Sequence, residues 1–367
     1  MEFSLLPVPF SDLEGWKDDD PSSLFPVMAS CLRHMRGVKP YRTGSLGVTS
    51  DELAAVFDVA ADRLPENPGQ ARVFFEAAFQ PFKVVRSDGG HGFVTAFYEP
   101  EVEVAAGPLD DFRHPFYRRP PDLIDIDDDN RPAGFDPTYA FGRDTKEGIG
   151  YFPRRKAIDQ GCLDGMGLEI AWARSRVDVF FAHVQGAARL RYPDGSIRLI
   201  TYAAKAGHPF TGIGRYLVEA GEIPLADVSM QSIRAWLAAH PDRVDEVLWQ
   251  NRSYIFFREA PVEGLEHGPI AAAKVPLEAM RSLAVDRLIH TFSSPFFIRS
   301  PSLTHLTGGK PFARLMMALD TGTAIVGPAR GDIFTGSGFD AGQLAGNVRN
   351  DADFFVLIPK AAAGRYL

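Results

Sequence analysis

Cysteine is nearly absent. The 367 residues contain two, Cys31 and Cys162, far apart and in none of the spacings of a metal site or a redox pair, and Cys31 reads as a core thiol. Long apolar runs are missing as well. Nothing approaches the ~18 consecutive apolar residues of a membrane helix, and the longest candidates, such as Phe354 to Pro359, are strand-sized. Positive charge is in deficit, with 39 Lys plus Arg against 47 Asp plus Glu, a net charge of −8 and no basic block. Nucleic acid is therefore not an expected partner. The nine histidines never fall in His-x-x-x-His or His-Glu-x-x-His spacing, so no metal is implied. Met1 to Phe10 shows no signal peptide. Met28-Ala29-Ser30-Cys31 mimics a lipoprotein cleavage box, but it follows the acidic, proline-containing stretch Trp16 to Ser23 where an apolar run is required, so no lipid anchor is read.

Glycine and proline are plentiful, 34 and 28, in a chain 45% apolar and 23% charged, which excludes disorder and gives a turn-rich globular protein of two domains. Apolar residues from Leu24 to Met35 recur at helical steps. Thr49 and Glu52 form a capping box for a second helix, with Leu53, Val56, Phe57, Ala60 and Leu64 on one face. Asn67 and Pro68 open a third. Near Gly90 the period changes to two, and Phe93 to Val104 reads as a strand with Pro100 at an edge or bend. Strands and turns are expected from there to about residue 220, including Arg113 to Pro121, a polar loop from Asp122 to Asp136 and a hairpin through Pro193-Asp194-Gly195. Ser229 and Pro241 start two short helices. Arg281 to Val285, Phe312 to Leu319, Ala324 to Val326 and Phe354 to Ile358 read as short strands of a small barrel.

The densest cluster of chemically unusual residues is Leu319 to Gly346, containing Asp320, Arg330, Asp332, Gly336 and Ser337. Acids set among apolar strand residues must be protonated, paired or hydrogen-bonded. Asp332, flanked by Ile333 and Phe334, suits a general acid, while Arg330 shares its face in an extended strand and opposes a raised pKa. Asp320 is the natural second carboxylate, and two acids in one cleft suit glycosidic cleavage. Either acid is equally readable as a cap on backbone amides at a barrel corner. Asp320-Thr321-Gly322 also matches an aspartic protease triplet, but a single-chain protease needs two and the sequence has one. Aromatics beside polar groups, as in Thr95, Phe97, Tyr98 and Glu99, suit sugar stacking or a core.

Taken together and in order, Phe97-Tyr98-Glu99-Pro100-Glu101, Phe116 to Pro121, Val184-Gln185-Gly186, Asn251 to Arg258, Ser282 to Asp286, Leu319 to Gly322 and Arg330-Gly331-Asp332 resemble the membrane-bound lytic murein transglycosylase A family. The resemblance implies a mainly β fold with peripheral helices: a double-psi β-barrel built from both chain ends, residues 1–98 and 246–367, and an inserted β-barrel-like domain, residues 99–245, forming the other wall of a glycan groove. It implies cleavage of the β-1,4 MurNAc-GlcNAc bond of peptidoglycan without water, leaving a 1,6-anhydro end, with no cofactor. Glycan strands are the implied partner, in the periplasm or cell envelope of a Gram-negative bacterium, with a peripheral association with the outer membrane or the cell-wall machinery. Asp332 corresponds to the catalytic acid, Asp320 and Asp286 to supporting aspartates, and Thr95, Tyr98, Gln185, Tyr254, Gly336 and Ser337 to groove positions. An inverting glycoside hydrolase using Asp332 and Asp320, or a non-catalytic glycan-binding envelope protein, are the alternatives. The chain departs from the family pattern at Ile289 to Ser294, where a short turn is usual, at Thr323, and at Ala272 and Lys274, which interrupt a glycine-containing stretch.

Overall fold

The computed structural model describes residues 3–61, 64–109, 111–261 and 267–367. The chain divides into two compact units, the first made of Met1–Tyr98, Glu266–Gly336 and Asp340–Leu367, the second of Glu99–Leu265 and Ser337–Phe339.

The first unit begins with β1 (Phe3–Pro7), followed by helices α1 (Leu24–Gly37), α2 (Ser50–Ala61) and α3 (Pro68–Ala78), then strands β2 (Phe79–Arg86) and β3 (Gly92–Glu99). The helix starts follow from local chemistry. The Thr49 hydroxyl accepts the Glu52 N–H at 3.2 Å while the Glu52 carboxylate accepts the Thr49 N–H at 2.9 Å, and Asn67 accepts the Gln70 N–H at 3.0 Å. Cys31 lies on the inward face of α1, fully buried. Helix α2 is described through Ala61, and Leu64, expected on its inward face, is exposed.

The second unit runs through β4 (Glu101–Ala105), β5 (His114–Tyr117), β6 (Leu123–Asp125), β7 (Phe141–Thr145), β8 (Gly148–Gly150), α4 (Arg155–Asp159), β9 (Glu169–Ala173), α5 (Arg176–Gln185), β10 (Ala187–Arg191), β11 (Ile197–Lys205), α6 (Ile213–Glu219), α7 (Met230–Ala239), α8 (Val244–Leu248) and β12 (Ile255–Ala260). The order β12-β11-β10-β4-β9-β5 forms a six-stranded sheet, and β6-β7-β8 a smaller one. A bridge between Arg118 and Phe257 joins the two edges of the larger sheet, giving it a barrel-like closure. The expected hairpin is present as β10 and β11. The expected return to the barrel at residue 246 is corrected, because β12 pairs with β11 from Leu199↔Ala260 to Lys205↔Ile255 and so belongs to the insert. Helices α4, α5 and α6 also interrupt a region whose sequence reads as strands and turns.

The chain returns to the first unit as β13 (Ser282–Val285), β14 (Pro295–Ser300), β15 (Phe312–Asp320), β16 (Arg330–Ser337), α9 (Gly338–Ala345), β17 (Arg349–Pro359) and α10 (Lys360–Ala363). Following the pairings β17-β14-β15-β13-β16-β3 and back to β17 closes a six-stranded ring, with β2 and β1 added outside β17. This is the double-psi barrel, built from both chain ends, in which β13 pairs parallel with β15 and antiparallel with β16, and β14 pairs antiparallel with β15 and β17. Phe296, Phe297, Leu315, Met316, Met317, Phe354 and Val356 alternate between its interior and its outer, covered face and are essentially inaccessible. Each contributes about 2 kcal/mol of apolar burial. Ala324 to Val326, expected as a strand, forms a turn between β15 and β16 instead.

Candidate active site

Asp332 lies on β16 and Asp320 at the end of β15, both half-buried. Strand β13 separates them, and its register fixes their relation: Ala284 stands opposite Asp332 on one side and opposite Asp320 on the other. Residues opposite one another across neighbouring strands point to the same face. The two carboxylates therefore share a face of the barrel wall, with Cα atoms about 10 Å apart by two strand spacings. The methyl group of Ala284 is the only side chain on the intervening strand at that level, and a register shift between Leu283 and Ala284 sets the row.

Thr95, on β3 at the other side of β16, extends the row. Its hydroxyl donates to Asp332 Oδ1, and Arg330 Nη2 donates to the same hydroxyl at 2.7 Å. Arg330 rests 5.4 Å from the centre of the Phe93 ring and also donates to the Gly331 carbonyl. Burial raises the pKa of Asp332, opposed by the Arg330 charge and the Thr95 hydroxyl. Asp320 is pushed up to about 6, mainly by burial and also by the Asp332 charge, against the Thr321 and Ala272 amides and the Lys274 ammonium. Its Oδ1 accepts the Ala272 N–H at 3.1 Å. Lys274 itself holds φ at +63°, a left-handed conformation that an ordinary side chain adopts only at a cost.

Asp286 serves the scaffold. It is 8% exposed, and its two oxygens accept the Leu288 N–H at 3.0 Å and the Gly327 N–H at 2.8 Å, tying the turn after β13 to the turn before β16. The unusual Ile289 to Ser294 stretch is interior: His290 donates to the Pro328 carbonyl at 2.8 Å, and the Thr291 hydroxyl accepts the Gly44 N–H at 3.0 Å while donating to the Val48 carbonyl. Burial drops His290 to a pKa of about 4, so it is neutral. Tyr98 is buried against α9, where a Cβ on Gly342 would lie 2.7 Å from its ring, so only glycine admits it. Gly336 ends the straight course of β16 with φ at +120°.

The remaining groove positions belong to the second unit. Gln185 closes α5 and is half-exposed. Ser337 donates to Glu99 Oε2 at 2.6 Å, which also accepts Arg189 Nε at 2.7 Å. Glu99, whose strand position suggests an outward face, is 1% exposed. The expectation for Tyr254 as an open groove residue is corrected: it is 2% exposed, packed on His183, Tyr117 and Phe256 inside the insert. The sequence gives no sign of the contacts made by Glu99, Ala284 and Ala272, since each depends on strands distant along the chain.

Residues 93–258 match the family model described as MltA specific insert domain, and residues 281–358 match the 3D domain. A membrane-bound lytic murein transglycosylase from Agrobacterium tumefaciens, solved by crystallography, is 65% identical, covers 99% of this chain and 100% of its own, and superposes with a TM-score of 0.95. Membrane-bound lytic murein transglycosylase A of Escherichia coli (strain K12) is 32% identical over 277 residues, 74% of this chain; the match spans 66% of that relative's own length, just under two thirds. A structure of E. coli MltA with bound chitohexaose is 25% identical, covers 98% and 95% of the two chains and gives a TM-score of 0.70. With the insert and 3D domain matched by their family models, and a 65% identical solved transglycosylase covering 99% of its length, the chain belongs to the membrane-bound lytic murein transglycosylase A family.

Proposed function

We propose that the chain is a lytic transglycosylase that cleaves the β-1,4 MurNAc-GlcNAc bond of peptidoglycan and leaves a 1,6-anhydroMurNAc end, with Asp332 as its acid and base. The observation carrying this is a single half-buried carboxyl with a raised pKa, held by a threonine hydroxyl, beside a second acid that shares its face. Protonated Asp332 gives its proton to the departing glycosidic oxygen as the C1–O4 bond breaks. The resulting carboxylate takes the proton from the muramyl O6 hydroxyl as O6 bonds to C1, so the acid is regenerated and no water is consumed. Thr95, held by Arg330, aims the carboxyl. Asp320 supports positive charge developing at C1, being ionised above about pH 6. Gln185, Gly336 and Ser337 are assigned to the glycan path, Tyr98 and Asp286 to the frame around the acids.

The names of the relatives and the glycan bound to the E. coli protein support peptidoglycan as substrate and the Gram-negative cell envelope as location. Among the described residues no helix is long and apolar enough to cross a membrane. Periplasmic placement with peripheral attachment to the outer membrane or cell-wall machinery is part of this reading.

Asp332→Asn is expected to lower turnover of isolated murein at least ~10³-fold while keeping glycan binding, because the general acid is lost and its shape is not. Near wild-type turnover by the folded variant removes Asp332 from the role. Mass spectrometry of the released muropeptides tests the chemistry: the anhydro product is about 18 Da, one water, lighter than the product of hydrolysis. A hydrolytic mass would make Asp320, with its pKa near neutrality, the base of an inverting glycosidase.

A further inference from the structure

The second unit carries a half-open pocket of about 320 Å³ between β5, α4 and α5. That is at the small end of the ~300–1,000 Å³ typical of ligand sites, and equals about ten waters at ~30 Å³ each. Asp332, Thr95, Gln185 and Ser337 do not line it. Two lining groups stand out. Tyr254 is 2% exposed as a residue, and its hydroxyl, which makes no hydrogen bond among the described residues, is open to this pocket. Asp159 uses only Oδ2, which accepts the Trp249 indole N–H at 3.1 Å, and Oδ1 is left as an acceptor.

We infer that this pocket is a second saccharide site, taking one sugar unit through its hydroxyl or acetamido groups. Its lining carries both signs of charge. Arg113 and Arg176 line it together with Asp159 and Asp164, the Arg155 and Arg176 charges act on Asp159, and Arg176 is paired with Asp245 on α8. His114 is held neutral by burial, to which the Arg176 charge adds. Sugar hydroxyls, which both donate and accept, match an acceptor carboxylate and a free phenol together, as a simple ion of either sign does not. The half-exposed Trp172 and the Tyr117 ring supply apolar wall for a sugar face. Behind the floor, the Arg155 guanidinium lies 5.0 Å from the Tyr254 ring centre and holds that ring in place. The inference stands on the pocket's own chemistry and holds whichever acid carries out cleavage.

The test measures binding of N-acetylglucosamine to the full-length chain by ligand-observed NMR and by crystal soaking, with alanyl-alanine as a zwitterionic control. Binding to Asp332→Asn should equal wild type, and sugar density should lie against Tyr254 and Asp159. Tyr254→Phe and Asp159→Asn should each weaken it about tenfold, the loss of one good hydrogen bond. Trp172→Ala at the rim provides a variant that does not disturb the interior and should weaken it similarly. Unchanged affinity in the variants that fold, sugar density only elsewhere, or a preference for the dipeptide would each overturn the site.

Discussion

Each of the two units buries an arginine, and they neutralise it differently. In the barrel unit, Arg281 donates to both oxygens of Asp19 at 2.8 and 2.9 Å, and Asp19 Oδ2 also accepts the Leu315 N–H at 2.8 Å, so the pair stitches the N-terminal segment to β15. In the insert, Arg155 has no carboxylate within hydrogen-bonding distance among the described residues. It donates to the carbonyls of Asn251 and Ser253 at 3.0 and 2.7 Å, meets His183 Nδ1 at 3.1 Å, and lies against the faces of Phe180 and Tyr254. The barrel has one large continuous core, whereas the insert divides its apolar residues among three clusters. A unit with small separate cores gains its definition from polar contacts to loop carbonyls, and its buried cation, bonded to carbonyls and not to an acid, lies just behind a pocket.

Removing the partner of Arg281 is the sharpest way to break the contrast. Asp19→Ala strands a buried cation and should destabilise the barrel unit by about 4 kcal/mol in urea unfolding. Arg155→Met should cost roughly 2 kcal/mol, since it leaves the Asn251 and Ser253 carbonyls unsatisfied and removes the charge that favours the Asp159 carboxylate, and hydrogen exchange should show the loss confined to the insert. Equal losses for the two variants would show that carbonyl dipoles neutralise a guanidinium as completely as a carboxylate does. Asp320→Asn gives the smallest effect, in the opposite direction. A carboxyl whose folded pKa is about 6, above its ordinary 3.8, binds its proton more tightly when folded. It favours the fold fully below about pH 4, and that contribution is lost as pH rises through 6. The asparagine variant should therefore be more stable than wild type by about 1–2 kcal/mol at pH 7.5, with the difference vanishing near pH 4.

Much of the barrel unit was legible because its signals are local. Thr49, Glu52, Asn67 and Pro68 mark helix starts by side chains that reach only three residues. The strands of β15 and β17 announce themselves as apolar runs. Strand β16 was harder, since Arg330, Asp332, Thr335 and three glycines or serines break any alternation, and their reason lies in partners on β3 and β13. Helix α5 carries Val179, Phe180, Phe181 and Ala182 in succession, which reads equally as a strand; Ser175 accepting the Asp178 N–H at 3.2 Å decides for helix. The acids themselves stood out as carboxylates among apolar neighbours. The Thr95–Asp332 bond, 237 residues apart in sequence, did not, and neither did the interior position of Tyr254.

Because Asp320 and Asp332 are placed by the ladder on either side of Ala284, their spacing is a property of three paired strands and not of any connecting turn. Insertions in the turns at either end can accumulate without pulling the carboxylates apart, which leaves homologous chains free to vary how they grip a glycan while the reacting groups stay in step. A valine in place of Ala284 would narrow that interval from within, touching neither acid.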